Sequence, residues 1–189
     1  MGRKRTIDRD AILDAAEAIV TESGAGQLTF DAIAARAGVS KGGALYCFPS
    51  KQALIAAMAA RDLARFEADV ARHAEALPEN PSRPIRAHLA ATRDESAALA
   101  ARAASLMAAL AEVPEEMEPV RRHYRALFNR VDAETAEGRR ARLALLACEG
   151  AFLLRGLGLM DLRGGEWEAM FDDIAGLVEE GQPDKSTRA

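Results

Sequence analysis

The stretch TFDAIAARAGVSKGGALYCFPSK (residues 29–51) decides the fold. Phe30, Ile33, Ala34 and Ala37 recur at helical spacing on one face. Thr29 is placed to cap that helix, Gly38 to end it in a left-handed turn, and Ser40 to cap the next. Pro49 closes the second helix, and Ser50 caps another beginning at Lys51. A short helix, a glycine-centred turn and a second helix of about eight residues is helix-turn-helix spacing. In that motif the second helix enters the DNA major groove and turns its first residues toward bases and phosphates. Gly42 and Gly43 sit in that first turn, where each costs about 1 kcal/mol relative to alanine. Bare positions there let the backbone, its free N–H groups and Lys41 come close to a phosphate. Leu45 and Phe48 are expected to pack inward and offset the lost helix propensity. The same spacing also suits a capped helix with flexible glycines in an ordinary bundle.

Outward from this stretch the pattern stays helical, and the expected fold class is all-α. Asp8 can cap a first helix with Ile12, Ala15, Ala16 and Ile19 on one stripe, stopped near Gly24. The helix starting at Lys51 runs past Leu54, Met58, Phe66 and Val70 to about Ala76. PENPSRP (78–84), with three prolines, is the clearest break. Further helices are expected from about Ile85, over 97–112, 115–134, 139–159 and 166–179. The tail 183–189 reads as disordered.

The chain has 189 residues and a net charge of −4. Residues 1–60 hold seven Lys/Arg against six Asp/Glu, whereas the remainder holds 18 against 23. The excess of positive charge therefore lies with the helix-turn-helix, beginning at Arg3, Lys4 and Arg5. Cys47 and Cys148 lie far apart without metal-type spacing, which fits a reducing compartment. No signal peptide is visible. The most apolar run, 143–160, carries Glu149, Arg155 and three glycines, so a cytoplasmic protein without a membrane span is expected. Catalysis is not expected: Glu-x-x-His, His-Glu-x-x-His, a phosphate loop with its lysine and Gly-x-Ser-x-Gly are all missing. No cofactor and no metal are assigned.

The segment LTFDAIAARAGVSKGGALYCFPSKQALI, preceded by ILDAAEAIVTESG, strongly resembles the DNA-binding domain of the tetracycline-repressor (TetR) family. The resemblance covers about Thr6 to Arg65 and rests on Ala-x-x-Ala-Gly-Val-Ser-Lys-Gly, Leu-Tyr and Phe-Pro-Ser-Lys at family spacing. It implies a homodimeric bacterial transcriptional regulator, usually a repressor released by a small ligand, that binds palindromic double-stranded operator DNA. By the same resemblance Thr29, Tyr46 and Lys51 are phosphate contacts, and Ser40, Lys41, Gly42, Gly43 and Ala44 form the face nearest the bases. Position 47 is usually histidine in that family; Cys47 stands there and places a thiol beside DNA. The implied organisation is a DNA-binding domain over 6–65, with its helix-turn-helix at about 29–48, and a ligand-binding and dimerisation domain over 66–182.

The second domain carries no motif of its own. In EWEAMFDDIAGLVEE, Trp167, Met170, Phe171, Ile174, Leu177 and Val178 keep one stripe, so the helix seeks a partner. The preceding helix is apolar nearly all round. It is either a central core helix or, as the resemblance favours, one shared with a two-fold four-helix interface. Leu146 and Leu157 would then join the stripe, and Gly150, Gly156 and Gly158 would allow close approach. AALAARAASLMAAL (97–110) is poor in large side chains and leaves room for a small-molecule pocket. Met107, Met117, Tyr124, Phe128 and Phe152 are its expected walls, with His88, His123 and Arg102 as polar anchors. A thiol- or metal-responsive regulator on the same fold, using Cys47 or Cys148, is the alternative.

Overall fold

The structure is a computed structural model and describes residues 8–111 and 113–179. The basic residues Arg3, Lys4 and Arg5 and the tail 183–189 lie outside the described residues.

Local chemistry sets the first four helices. Asp8 caps α1 (Arg9–Ser23) by accepting from the amides of Asp10 and Ala11. Thr29 caps α2 (Phe30–Ala37) through the amide of Ala32, and Gly38 ends it at φ +66°. Ser40 caps α3 (Lys41–Cys47) through the amide of Gly43. Ser50 caps α4 (Lys51–Glu75) through the amide of Ala53. Each such cap contributes about 1 kcal/mol. Ile12, Ala16, Leu28, Ile33, Phe48, Leu54 and Met58 close over one core.

Five more helices follow: α5 (Arg83–Asp94), α6 (Ala97–Leu110), α7 (Glu118–Phe128), α8 (Ala136–Gly156) and α9 (Glu166–Glu179). A second core gathers Ile85, Leu89, Leu127, Ala144, Leu145 and Cys148 with Trp167, Phe171 and Ile174. Between the two lie Ala100, Ala104 and Phe152. The cores are not divided at residue 65, because α4 runs through that point and Leu106 and Leu110 of α6 enter the first core.

Three expectations on the helices need correction. The helix over 115–134 is shorter: Pro114 opens a 3-10 turn, Pro119 sits in the first turn of α7, and the helix stops at Phe128. Arg142 donates to the carbonyls of Phe128 and Val131, satisfying acceptors that a longer helix would have used internally. Thr135, not a residue near 139, starts α8 by accepting from the Gly138 amide. That helix ends at Gly156, where Gly158 takes φ +66°. Among the described residues, no helix is long and apolar enough to cross a membrane.

Candidate nucleic-acid interface and ligand cavity

The surface of α3 separates the residues expected at DNA. Ser40, Lys41, Gly42 and Tyr46 are exposed, Tyr46 by 87%, and Thr29 at the neighbouring helix start is exposed too. Lys51, half-buried, opens α4 beside them. Helix starts at Thr29 and Lys51 thus bring free backbone N–H groups to the edges of α3, an arrangement suited to phosphates. Lys41 Nζ is held 2.8 Å from Asp31 Oδ2, an exposed pair that a phosphate could replace. Cys47 is half-buried and packs against the first core.

Two residues expected to face the bases do not. Gly43 is buried, and Ala44 is wholly inaccessible. A helix of seven residues bound by Phe48 on one side can present only part of its circumference, and positions 43 and 44 fall on the inner part. The glycines therefore differ in purpose. A methyl group added at Gly42 would meet nothing within 4 Å, so that position is open toward solvent. Leu45 also departs from expectation: it stays 37% exposed, and Phe48 with Ala44 supplies the inward packing instead.

A cavity of about 90 Å³ lies between α4, α5, α6, α7 and α8. His88, Met107, Tyr124 and Phe152 line it as expected, as does His123. Met117 does not; it packs on the first core, because the 3-10 turn carries it away. Phe128 packs on the second core, with the Arg142 guanidinium over its ring. Arg102 is not in the wall either. It holds Asp62, which is, through Nη2–Oδ1 at 2.7 Å and Nε–Oδ2 at 3.1 Å.

Three carboxyl groups line the cavity that sequence reasoning missed: Asp62, Glu95 and Glu149. The lone acid inside the apolar run 143–160 was a signal for Glu149. Its Oε1 lies 2.6 Å from His88 Nε2, and its Oε2 accepts from Tyr124 at 2.6 Å. Burial, the Glu149 charge and that hydrogen bond hold the Tyr124 phenol well above its usual range. Burial, with Asp62 adding to it, raises Glu95 to about 7.

The raised value makes a stability prediction. Between about 4.5 and 7 the folded chain keeps a proton on Glu95 that the unfolded chain has lost, so stability falls as pH rises through that window. Glu95→Gln is expected to stabilise the protein at pH 8 by ~1–2 kcal/mol, allowing for solvent screening. At pH 4.5 the difference should vanish. Thermal melts at the two values check this, and an equal shift at both would contradict it.

Ion pairs join the cavity wall to α1. Glu17 of α1, 7% exposed, forms ion pairs with Arg65 at 2.8 Å and Arg61 at 3.3 Å. Arg102 of α6 reaches the same carboxylate at 3.7 Å while gripping Asp62. Glu17, Asp62 and Arg102 are largely enclosed, and charges so placed are costly to leave unpaired.

Cys148 lies beside the cavity, and burial pushes its thiol up to about 12. It is therefore mostly protonated at neutral pH and a poor nucleophile. His88, Cys148 and Glu149 could nevertheless offer a metal three donor atoms within 4.8 Å of one another. Both Glu149 oxygens are already engaged, by His88 and Tyr124.

The expected dimer face divides in the same way. Leu143, Leu146, Gly150, Leu153 and Leu157 follow at spacings of three, four, three and four residues along α8. The four leucines are all exposed, with Leu143 at 59% and Leu146 at 55%. A methyl group at Gly150 would meet nothing. Leu177 is exposed and Met170 half-buried on α9. Trp167, Phe171, Ile174 and Val178, in contrast, belong to the second core. Trp167 donates to the Arg93 carbonyl at 2.8 Å and lies under Arg155, which ties α9 to α5 and α8 within the subunit. Gly156 also serves an internal contact: a methyl group there would come within 2.7 Å of the Ala104 side chain. Gly158 supplies the left-handed turn instead of an approach.

Comparison with known proteins agrees with this architecture. Residues 82–179, more than half of the chain, match the family described as "Tetracyclin repressor-like, C-terminal domain". Residues 12–58 match "Bacterial regulatory proteins, tetR family". No curated protein matches the chain. Among solved structures, the multidrug binding protein EbrR, complexed with imidazole, is similar at 23% identity and TM-score 0.67, over 96% of each chain. A TetR-like transcriptional regulator from Rhodococcus sp. RHA1 is 20% identical, with TM-score 0.64, over 95% of this chain and 98% of its own. The fatty acid degradation regulator FadR from Bacillus halodurans is 16% identical, with TM-score 0.67, over 93% of this chain and 96% of its own. With both halves matched and the helix-turn-helix in place, the chain belongs to the TetR family of bacterial transcriptional regulators.

Proposed function

We propose that this protein is a repressor that binds a near-palindromic operator as a homodimer and is released by a small molecule. One observation carries this reading: a single helix joins the DNA-facing surface to the cavity. Helix α4 opens at Lys51 beside α3 and contributes Ala59, Asp62, Leu63 and Phe66 to the cavity wall. A ligand that prefers a tilted α4 would change the spacing of the two recognition helices in the dimer. It can do so only by its differential affinity for the two states, so operator DNA must weaken its binding by the same factor.

Thr29, Ser40, Lys41, Gly42, Tyr46 and Lys51 are the residues assigned to DNA. Gly150 and the exposed leucines of α8, with Met170 and Leu177 of α9, form the assigned dimer face. EbrR is named for multidrug binding and FadR for fatty acid degradation, so these structural neighbours support a small-molecule site without agreeing on its chemistry.

Operator selection from random DNA with the purified full chain tests the reading. The expected outcome is a near-palindrome with half-sites centred one helical turn apart, about 34–36 Å. Lys51→Ala should then weaken all sequences alike and lower the salt slope by about one. Enrichment of no motif, with equal affinity for every sequence, would reject sequence-specific regulation.

A further inference from the structure

We propose that the cavity takes an organic ammonium or amidinium with an apolar body, an inference that rests on the small-molecule reading above. The argument is a hydrogen-bond account of the cavity wall. A carboxylate only accepts, so His88 must donate to Glu149 through a protonated Nε2. In its neutral form the ring then offers Nδ1 as an acceptor, and that atom is buried without a partner. His123 repeats the pattern: its Nδ1 donates to Glu67 at 2.9 Å, and in the neutral form Nε2 then keeps its lone pair. The Tyr124 hydroxyl already donates its hydrogen bond to Glu149, and Thr92 donates to the His88 carbonyl.

Glu95 completes the set. Among the described residues no hydrogen bond or ion pair holds its carboxyl, although it lines the cavity. The polar atoms left over are therefore acceptors, and no lysine or arginine lines the cavity. Donors and positive charge are lacking in the wall itself; Arg102, spent on Asp62, and Arg155, whose Nη1 is buried without a partner, act on Glu95 from outside it. An anionic ligand would face Asp62, Glu95 and Glu149 with no cation in the wall, which electrostatics disfavours at low effective dielectric. The rest of the wall, including Phe66, Leu106 and Phe152, suits an apolar body.

Size adds a consequence. A cavity of about 150 Å³ holds one benzene ring, whereas this one measures about 90 Å³. An aromatic ammonium can enter only by moving the walls, and α4 is one of them. Occupancy and helix displacement are thus coupled by volume.

Three probes of matched shape and different charge test the proposal by calorimetry on the full chain: 2-phenylethylamine, 2-phenylethanol and phenylacetate. The amine is expected to bind at least ~10-fold tighter than the alcohol, with phenylacetate weakest. Glu95→Gln should abolish the preference for the amine while keeping alcohol binding, which also shows that the variant is folded. Lowering the pH below about 7 should weaken the amine alone, because protonated Glu95 cannot pair with it. Asp62 and Asp69 of α4 push that titration upward, and Arg102 of α6 and Arg155 of α8 oppose them. Equal binding of alcohol and amine, tighter binding of phenylacetate, or an amine preference that survives Glu95→Gln would overturn the cationic assignment and leave a ligand cavity standing. Binding of none of the three at millimolar concentration would remove the cavity as a ligand site, and the assignment with it.

Discussion

The double variant Leu146→Glu, Leu153→Glu is expected to be a folded monomer that has lost operator binding. Both leucines are exposed, Leu146 at 55% and Leu153 at 39%, so the substitutions should leave the isolated chain folded with its helix content nearly unchanged. In a dimer the same carboxylates would be buried against a second α8 without partners, at about 3–5 kcal/mol each. Two half-sites held together bind more tightly than one by about 10²–10⁴-fold, and the variant forfeits that factor. Sedimentation and a gel-shift titration read both effects. Phe171→Glu is the contrasting case: Phe171 is 2% exposed, so the charge should unfold the second core rather than part the subunits. A dimer that survives the double substitution would move the interface to another face.

Gly42→Leu should reduce operator affinity by at least ~100-fold, close to 3 kcal/mol, while leaving the fold intact. Position 42 is open, so the new side chain's first carbon meets no protein atom and the chain stands where the major-groove edge must come. Its effect on stability should be slightly favourable, since leucine exceeds glycine in helix propensity by about 0.5–1 kcal/mol. Gly43→Leu should do the opposite. That residue is buried, and forcing a large side chain into a packed core costs about 1–3 kcal/mol or more. The two variants therefore separate a DNA defect from a folding defect at adjacent positions. Full operator affinity in Gly42→Leu would show that α3 does not approach DNA by its open face.

What the sequence determined by itself was local. Asp8, Thr29, Ser40 and Ser50 each cap a helix through an amide two or three residues on, and Gly38 ends one in the left-handed region. Such signals are written within four residues of one another, so the helix-turn-helix and the family were legible without coordinates. The sequence also showed α8 to be apolar nearly all round, and Leu146 and Gly150 lie on a side of it that the subunit leaves uncovered.

Tertiary structure alone decided which side of each helix faces what. Position 43 against position 42, and Trp167 against Leu177, cannot be told apart by hydrophobicity, because a buried core and a buried interface select the same residue types. Three-dimensional assembly was needed to bring Asp62 of α4, Glu95 at the end of α5 and Glu149 of α8 to one cavity, and to send Arg102 to Asp62 rather than into the cavity. Charges meeting across 33 to 87 positions of sequence leave no periodic trace, since each is an ordinary surface residue of its own helix until the helices pack.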